Sequence, residues 1–228
     1  MQRLHRRGRR YYERSDRAIP RPHRPICGCC VGRPERAVGA PFAWQCCKVE
    51  PPVEIRDLAC NELSRIGEID RTERIAVRFE QHGTELVALR GTWSAPAWDP
   101  DGHGEHSVDA QHQALVHYAD EGGIARGAFS NGRLVGLGVV VPHIGPAIAQ
   151  LAYLHVSQDF RSAGIGSRLC VDLELIARSA GDTEIVVTAT PSENTVRFYL
   201  GRGYRPMAEP LPKLLELEPE DIHMSKVI

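Results

Sequence analysis

Residues 160–169 read FRSAGIGSRL and follow the strand-like run AQLAYLHV. Gly164 and Gly166 fall where a helical pattern begins, although glycine inside a helix costs about 1 kcal/mol relative to alanine. A helix start leaves several backbone N–H groups unpaired and carries the positive end of the helix dipole. Small residues there let an anion approach the backbone closely. Ser162, Ala163, Gly164 and Gly166 supply that, with Ile165 and Ser167 completing the turn and Arg161 adding charge at its rim. The chemistry such a turn can do is to hold a phosphate. A dinucleotide fingerprint needs a third glycine, which is missing. A P-loop needs Gly-Lys-Ser/Thr, whereas Gly166 is followed by Ser167-Arg168. A tight turn in which glycine serves only packing is the competing reading.

The elements that must position this turn are legible from periodicity. A short strand at 53–58 precedes a helical stretch carrying Leu63, Ile66 and Ile69. Alternation around His82-Gly83 predicts a hairpin, and residues 90–106 read as a loop rich in Trp, Pro, Gly and Asp. A helix follows, with Ser107 as N-cap and Gly122 as stop. Asn131-Gly132 between two β-prone runs predicts a second hairpin. After AQLAYLHV comes a helix with the stripe Ile165, Leu169, Leu173, Ile176 and Ala180, ended by Gly181. EIVVTAT is a further strand, SENTVRFYLGRG a short helix and DIHMSKVI a last strand. A hairpin followed by β-α-β-α predicts a single α/β domain over about residues 53–228, a mixed sheet flanked by helices.

Charge divides the chain. Residues 1–50 carry twelve basic against four acidic residues, a balance of +8, and the remaining chain sums to −9. The basic segment has few aliphatics and scattered prolines, so we expect a disordered basic N-terminal extension. Translation from upstream of the true start is one account of it, since Met1 is the only Met before Met207. It lacks a signal-peptide core, and no run approaches a membrane span, so no membrane partner is expected. Arg clusters attract phosphate, but the acidic remainder argues against nucleic-acid binding by the folded part. Cys27, Cys29, Cys30, Cys46 and Cys47 lack the paired spacing of a zinc site, and His103 and His106 sit in a Gly-rich loop, so we expect no metal. Cys60 and Cys170 read as buried thiols. Seven cysteines without a disulfide-like framework favour a reducing compartment, the cytoplasm.

The turn together with a second segment resembles the GNAT superfamily of N-acetyltransferases. LHVSQDFRSAGIGSRL is similar to its acyl-CoA-binding motif, R/Q-x-x-G-x-G/A after a strand, with Arg161, Gly164 and Gly166 at the fixed positions. SENTVRFYLGRGY resembles the family's N-x-x-A-x-x-F-Y-x-x-x-G-F pattern. Phe198, Tyr199 and Gly203 match; Ser192 replaces Asn, Thr195 replaces Ala and Tyr204 replaces Phe. The resemblance covers about residues 53–210 and implies a GNAT-like, mostly antiparallel mixed sheet.

It also implies acetyl transfer from acetyl-CoA to an amine of a small molecule or a protein. By that resemblance the amides of residues 161–167 hold the pyrophosphate. The backbone of Leu154, His155 and Val156, on a strand that splays from its neighbour, binds the pantetheine arm and the acetyl oxygen. Asn194 contacts the CoA arm, and Tyr199 protonates the leaving thiolate; a buried core tyrosine is its other reading. Many relatives carry a Glu on the strand before the motif, but AQLAYLHV has none, and Gln150 stands at the corresponding place. His155, a carboxylate from elsewhere, and water-mediated proton removal all remain open as the base. Trp93, Trp98, Asp99, Asp101 and Glu105 suit a cationic acceptor through cation–π and charge contacts, or form an ordinary solvated loop. The missing strand carboxylate also keeps open a non-catalytic acyl-CoA-binding regulatory module. The sequence leaves the oligomeric state open and is compatible with a homodimer.

Overall fold

The computed structural model describes residues 52–102, 104 and 106–228. The expectations for residues 1–51, including five of the cysteines, and for His103 and Glu105 lie outside the described residues. Strand β1 (Glu54–Asp57) leads into a 3-10 helix, Cys60–Glu68. Leu63 and Ile66 of that helix are buried, as is Ile69 just after it. Cys60 is exposed, contrary to expectation, because it starts this helix on the outer side while Leu63 and Ile66 take the inner one. Strands β2 (Glu73–His82) and β3 (Glu85–Ala95) form their own two-stranded sheet, with Gly83 at φ +61 in the turn. The ladder runs on to Glu73↔Ala95, so the predicted loop begins about five residues later than expected.

The main sheet has seven strands in the order β1-β4-β5-β6-β7-β9-β8. They are β4 (Ile124–Ser130), β5 (Arg133–Gly145), β6 (Ile148–Val156), β7 (Glu184–Ala189), β8 (Arg205–Pro206) and β9 (Ile222–Val227), besides β1. Only β6 and β7 run parallel, so the sheet is mixed and mostly antiparallel. Asn131 (φ 50) and Gly132 (φ 79) close the β4–β5 hairpin with Ser130 opposite Arg133, as their left-handed tolerance predicts.

Helix α1 (Val108–Asp120) packs on one face, and the Ser107 hydroxyl caps it by accepting from the Ala110 N–H at 3.1 Å. Helix α2 (Ile165–Ala180) covers β4–β6 on the other face and ends at Gly181 (φ 102). It buries Ile165, Leu169, Cys170, Leu173 and Ala177, whereas Ala180 of the predicted stripe is exposed in the last turn. A side chain at Gly138 of β5 would strike Leu173 at 2.6 Å, so that glycine permits the close approach of helix to sheet. Helix α3 (Glu193–Leu200) and the short α4 (Pro212–Leu217) complete the chain. Ser192, where the family pattern has Asn, caps α3: its hydroxyl accepts from the Thr195 N–H at 3.3 Å. Exposed on α2 and elsewhere are scattered apolar residues, and no helix among the described residues is long and apolar enough to cross a membrane.

A carboxylate on α2 lies within the core. Glu174 of α2 is only 9% exposed, yet it accepts from Lys226 Nζ at 2.6 Å and the Tyr204 hydroxyl at 3.1 Å. Burial pushes the adjacent Cys170 thiol up to about 12, and Glu174 adds to it, so this cysteine stays protonated and inert.

Candidate functional site

The parallel ladder between β6 and β7 is three rungs long, from Ile148↔Glu184 to Gln150↔Val186. Beyond Gln150 the two strands part. Strand β6 stays paired with β5 as far as Val156↔Gly136, and β7 with β9 as far as Ala189↔Ile222. The β6 edge that faced β7 is therefore open from Leu151 onward, and Leu154, His155 and Val156 lie along it. A register shift between Leu151↔Val140 and Tyr153↔Val139 puts a bulge in β6 at the point where the strands separate.

The turn after β6 leads into α2. Arg161 N–H is used, donating to the Gln158 carbonyl at 3.2 Å. The six amides from Ser162 to Ser167 have no backbone acceptor, and the first N–H to return to the helix ladder is Arg168, onto Gly164 O at 3.0 Å. Ser162 (φ 64) and Gly164 (φ 80) both adopt the left-handed conformation, which turns successive N–H groups into one concavity. Six unpaired donors at the positive end of a sixteen-residue helix make a strong anion site. The row of unpaired amides spans residues 162–167.

The Arg161 side chain does not stand free at the rim. Its guanidinium donates to the carbonyls of Val156 (3.1 Å), Thr72 (3.3 Å) and Arg71 (3.2 Å) and to Glu73 Oε2 at 3.3 Å. The other Glu73 oxygen accepts from Asn194 Nδ2 at 3.0 Å. One carboxylate thus ties the cradle to the head of α3, and it sits on β2. The same strand continues over the gap: Phe79 N–H donates to Pro191 O at 2.9 Å, Arg78 bridges Ser192, and Gln81 holds the His223 N–H at 2.7 Å. The β2–β3 hairpin is a strap across the open end of the splay. Sequence reasoning found the hairpin but not its docking, because its partners lie up to 142 residues away. We expect Glu73→Ala to raise KM for acetyl-CoA several-fold, up to about tenfold or roughly 1.4 kcal/mol, with kcat little changed, in steady-state assays at saturating acceptor.

On the α1 face of β6, the Tyr153 hydroxyl donates to Gln111 Oε1 at 2.7 Å. His155 lies between the rings of Tyr153 (4.8 Å) and Trp98 (5.5 Å). Burial, aided by the Arg71 and Arg161 cations, lowers the His155 pKa to about 4, so the imidazole is neutral and a poor base at neutral pH. Trp98 is 8% exposed, and the Arg71 guanidinium lies 4.4 Å from its ring centroid. An internal cation already occupies this face, so Trp98 does not serve the cation–π role expected of it. Asp99 Oδ1 is likewise engaged, accepting from the amides of Asp101 (3.1 Å) and Gly102 (2.8 Å). Trp93 has Arg78 at 5.8 Å. Among the described residues no His/Cys/Asp/Glu group is arranged to hold a metal.

Tyr199 is 4% exposed, its ring 5.1 Å from Phe198 and 5.2 Å from Tyr204. Burial, reinforced by Cys170, raises its pKa far above the usual tyrosine value, so it keeps its proton at any working pH. Phe198 lies against the cradle: a Cβ on Gly166 would sit 3.4 Å from its ring.

The model of the acetyltransferase (GNAT) family matches residues 89–204, just over half of the chain. The chain belongs to the GNAT acetyltransferase family. The matched span holds the splay, the amide cradle and Tyr199 of this GNAT chain, but not Glu73 of the strap. Solved structures share the fold. Nourseothricin acetyltransferase aligns at a TM-score of 0.58 and 16% identity, over 77% of this chain and 98% of that one. The PaiA N-acetyltransferase of Thermoplasma acidophilum, in complex with coenzyme A, aligns at 0.51 and 17%, over 78% and 99%. A candidate streptothricin acetyltransferase from Bacillus anthracis, in complex with acetyl coenzyme A, aligns at 0.56 and 16%, over 76% and 96%. No curated protein sequence matches the GNAT chain.

Proposed function

We propose that this GNAT protein is an N-acetyltransferase that moves the acetyl group of acetyl-CoA to an amine of a small molecule, in the cytoplasm. The observation that carries the reading is the row of six unpaired amides beside the open edge of β6. A diphosphate fits that row, since each N–H donates to an ionised oxygen in a charge-assisted hydrogen bond. From there the pantetheine arm reaches into the splay, where the backbone of Leu154, His155 and Val156 borders the thioester. A backbone N–H at the β6 bulge is suited to hold the carbonyl oxygen as charge develops on it. The neutral amine attacks the thioester carbon, the C–S bond breaks, and Tyr199 donates its proton to the departing sulfur. Asn194, tied to Glu73, borders the arm from the α3 side. We place the acceptor on the α1 face, against Tyr153 and His155.

A regulatory acyl-CoA-binding module would share the cradle but release no thiol. The test follows free thiol from acetyl-CoA over a panel of amines, with nourseothricin first because of the fold likeness, then polyamines, aminoglycosides and peptide N-termini. Acetyl-dependent thiol release with one or more amines is expected. Saturable acetyl-CoA binding without release on any of them would favour the binding module.

A further inference from the structure

Strand β6 offers no carboxylate to take a proton from the acceptor, Gln150 is buried at 8% exposure in the last rung of the parallel ladder, and His155 is held neutral by its surroundings. A side-chain base would then come from another element facing the acceptor side. The turn before β9 supplies one. Ile222 pairs with Ala189, the last residue of β7, so Asp221 stands one residue beyond it, opposite Thr190, where β7 gives way to the lead into α3. That is the carboxyl end of the parallel pair, the end at which β6 and β7 separate.

Lys213 of α4, which leads into this turn, donates to Glu121 at the end of α1 at 3.4 Å, so the turn follows a segment docked on the helix whose Gln111 holds Tyr153. From the strap, Arg78 bridges Ser192, and its charge acts on Asp221. The Asp221 carboxylate makes no hydrogen bond or ion pair among the described residues, although its own N–H is fixed on Glu218 O at 3.2 Å. A half-buried carboxylate held on an ordered turn, with the Arg78 charge acting on it but no hydrogen bond to its oxygens, is free to accept a proton.

We infer that Asp221 is the general base of the acetyl transfer, taking a proton from the acceptor ammonium directly or through one water. The inference rests on the acetyltransferase reading above. The ammonium gives its first proton to Asp221, which passes it to solvent. The neutral nitrogen then attacks the thioester carbon, and its second proton replaces the one that Tyr199 delivers to sulfur. The sum is amide, free CoA thiol and one proton. The groups facing Asp221 suit the task. Burial first, then Glu218 and Glu220, with Arg78 opposing, together raise its pKa to about 7. His223 Nε2–H on β9 donates to the Glu218 carbonyl at 3.1 Å, and its own pKa is lowered by burial. A base with a pKa near the working pH combines availability with proton affinity.

The test uses the full chain, acetyl-CoA and whichever amine of the panel the wild type acetylates, with kcat/KM measured from pH 5 to 9. The wild type should gain activity with rising pH along a limb centred near pH 7. Asp221→Asn should lower kcat/KM at least thirtyfold and remove that limb, leaving acetyl-CoA affinity unchanged. Asp221→Glu should restore part of the rate. Glu218→Gln, which removes a neighbouring negative charge, should move the limb to lower pH. An Asp221→Asn variant with the wild-type rate and pH limb would overturn the inference, as would a Glu218→Gln limb that stays in place. No transfer by the wild type to any amine would instead overturn the acetyltransferase reading on which the inference rests.

Discussion

Tyr199→Phe should lower kcat by two to three orders of magnitude while leaving the dissociation constant for acetyl-CoA within about twofold. The substitution removes one oxygen and keeps the ring that packs between Phe198 and Tyr204, so the core is left intact. What is lost is a proton donor. A thiolate leaving without one must depart as an anion in a site walled by apolar groups, and general acid catalysis contributes about 10²–10⁴-fold where it operates. The buried hydroxyl remains protonated through the whole working range, because ionising it there would leave an unsolvated charge. Single-turnover transfer rates with titration calorimetry separate the two quantities. A fully active Phe variant would return Tyr199 to the role of a core aromatic.

The second large effect belongs to Gly164. At φ 80 it adopts a conformation that costs an L-residue about 1–2 kcal/mol, and more for a β-branched one. Nothing lies within 4 Å of a Cβ built there, so strain in the backbone, not a clash, is the obstacle. Gly164→Val can relieve that strain only by turning the 162–167 amides out of their common concavity. Each hydrogen bond to a charged group contributes about 1.5–3 kcal/mol, so losing two should weaken acetyl-CoA binding at least a hundredfold. Gly166→Ala gives the contrast. Its Cβ would meet Phe198 and Val156 at 3.4 and 3.5 Å, ordinary contact distances, so the fold accepts it and affinity should change only a few-fold. Calorimetric titration of both variants checks the pair; equal losses would mean that crowding, and not backbone geometry, governs the turn.

What could be read from the sequence was local. The Asn131-Gly132 turn, the Ser107 cap and the glycine stop of α2 depend on residues within one turn of each other, and all stand where their chemistry predicts. The splay could be anticipated only through the family resemblance, since nothing in AQLAYLHV announces that its neighbour leaves after Gln150. What stayed hidden involves long separations. Glu73 reads as an ordinary strand residue until it meets Arg161 and Asn194, 88 and 121 residues away. Arg161 looked like a free charge because its carbonyl partners on Arg71 and Thr72 belong to a distant segment. Trp98 looked like a seat for a substrate cation, and Arg71 fills that seat. Asp221 lies among Glu218 and Glu220 in a stretch that reads as a solvated acidic turn, and only in the fold is it seen to be partly buried.

The measurement that most directly tests the central claim is the amide spectrum of the labelled protein during titration with CoA. A saturable downfield shift of the Ser162–Ser167 N–H signals, larger than that of amides already paired in α2, is the result predicted. Saturation of the protein by CoA with those six signals unmoved would contradict the account.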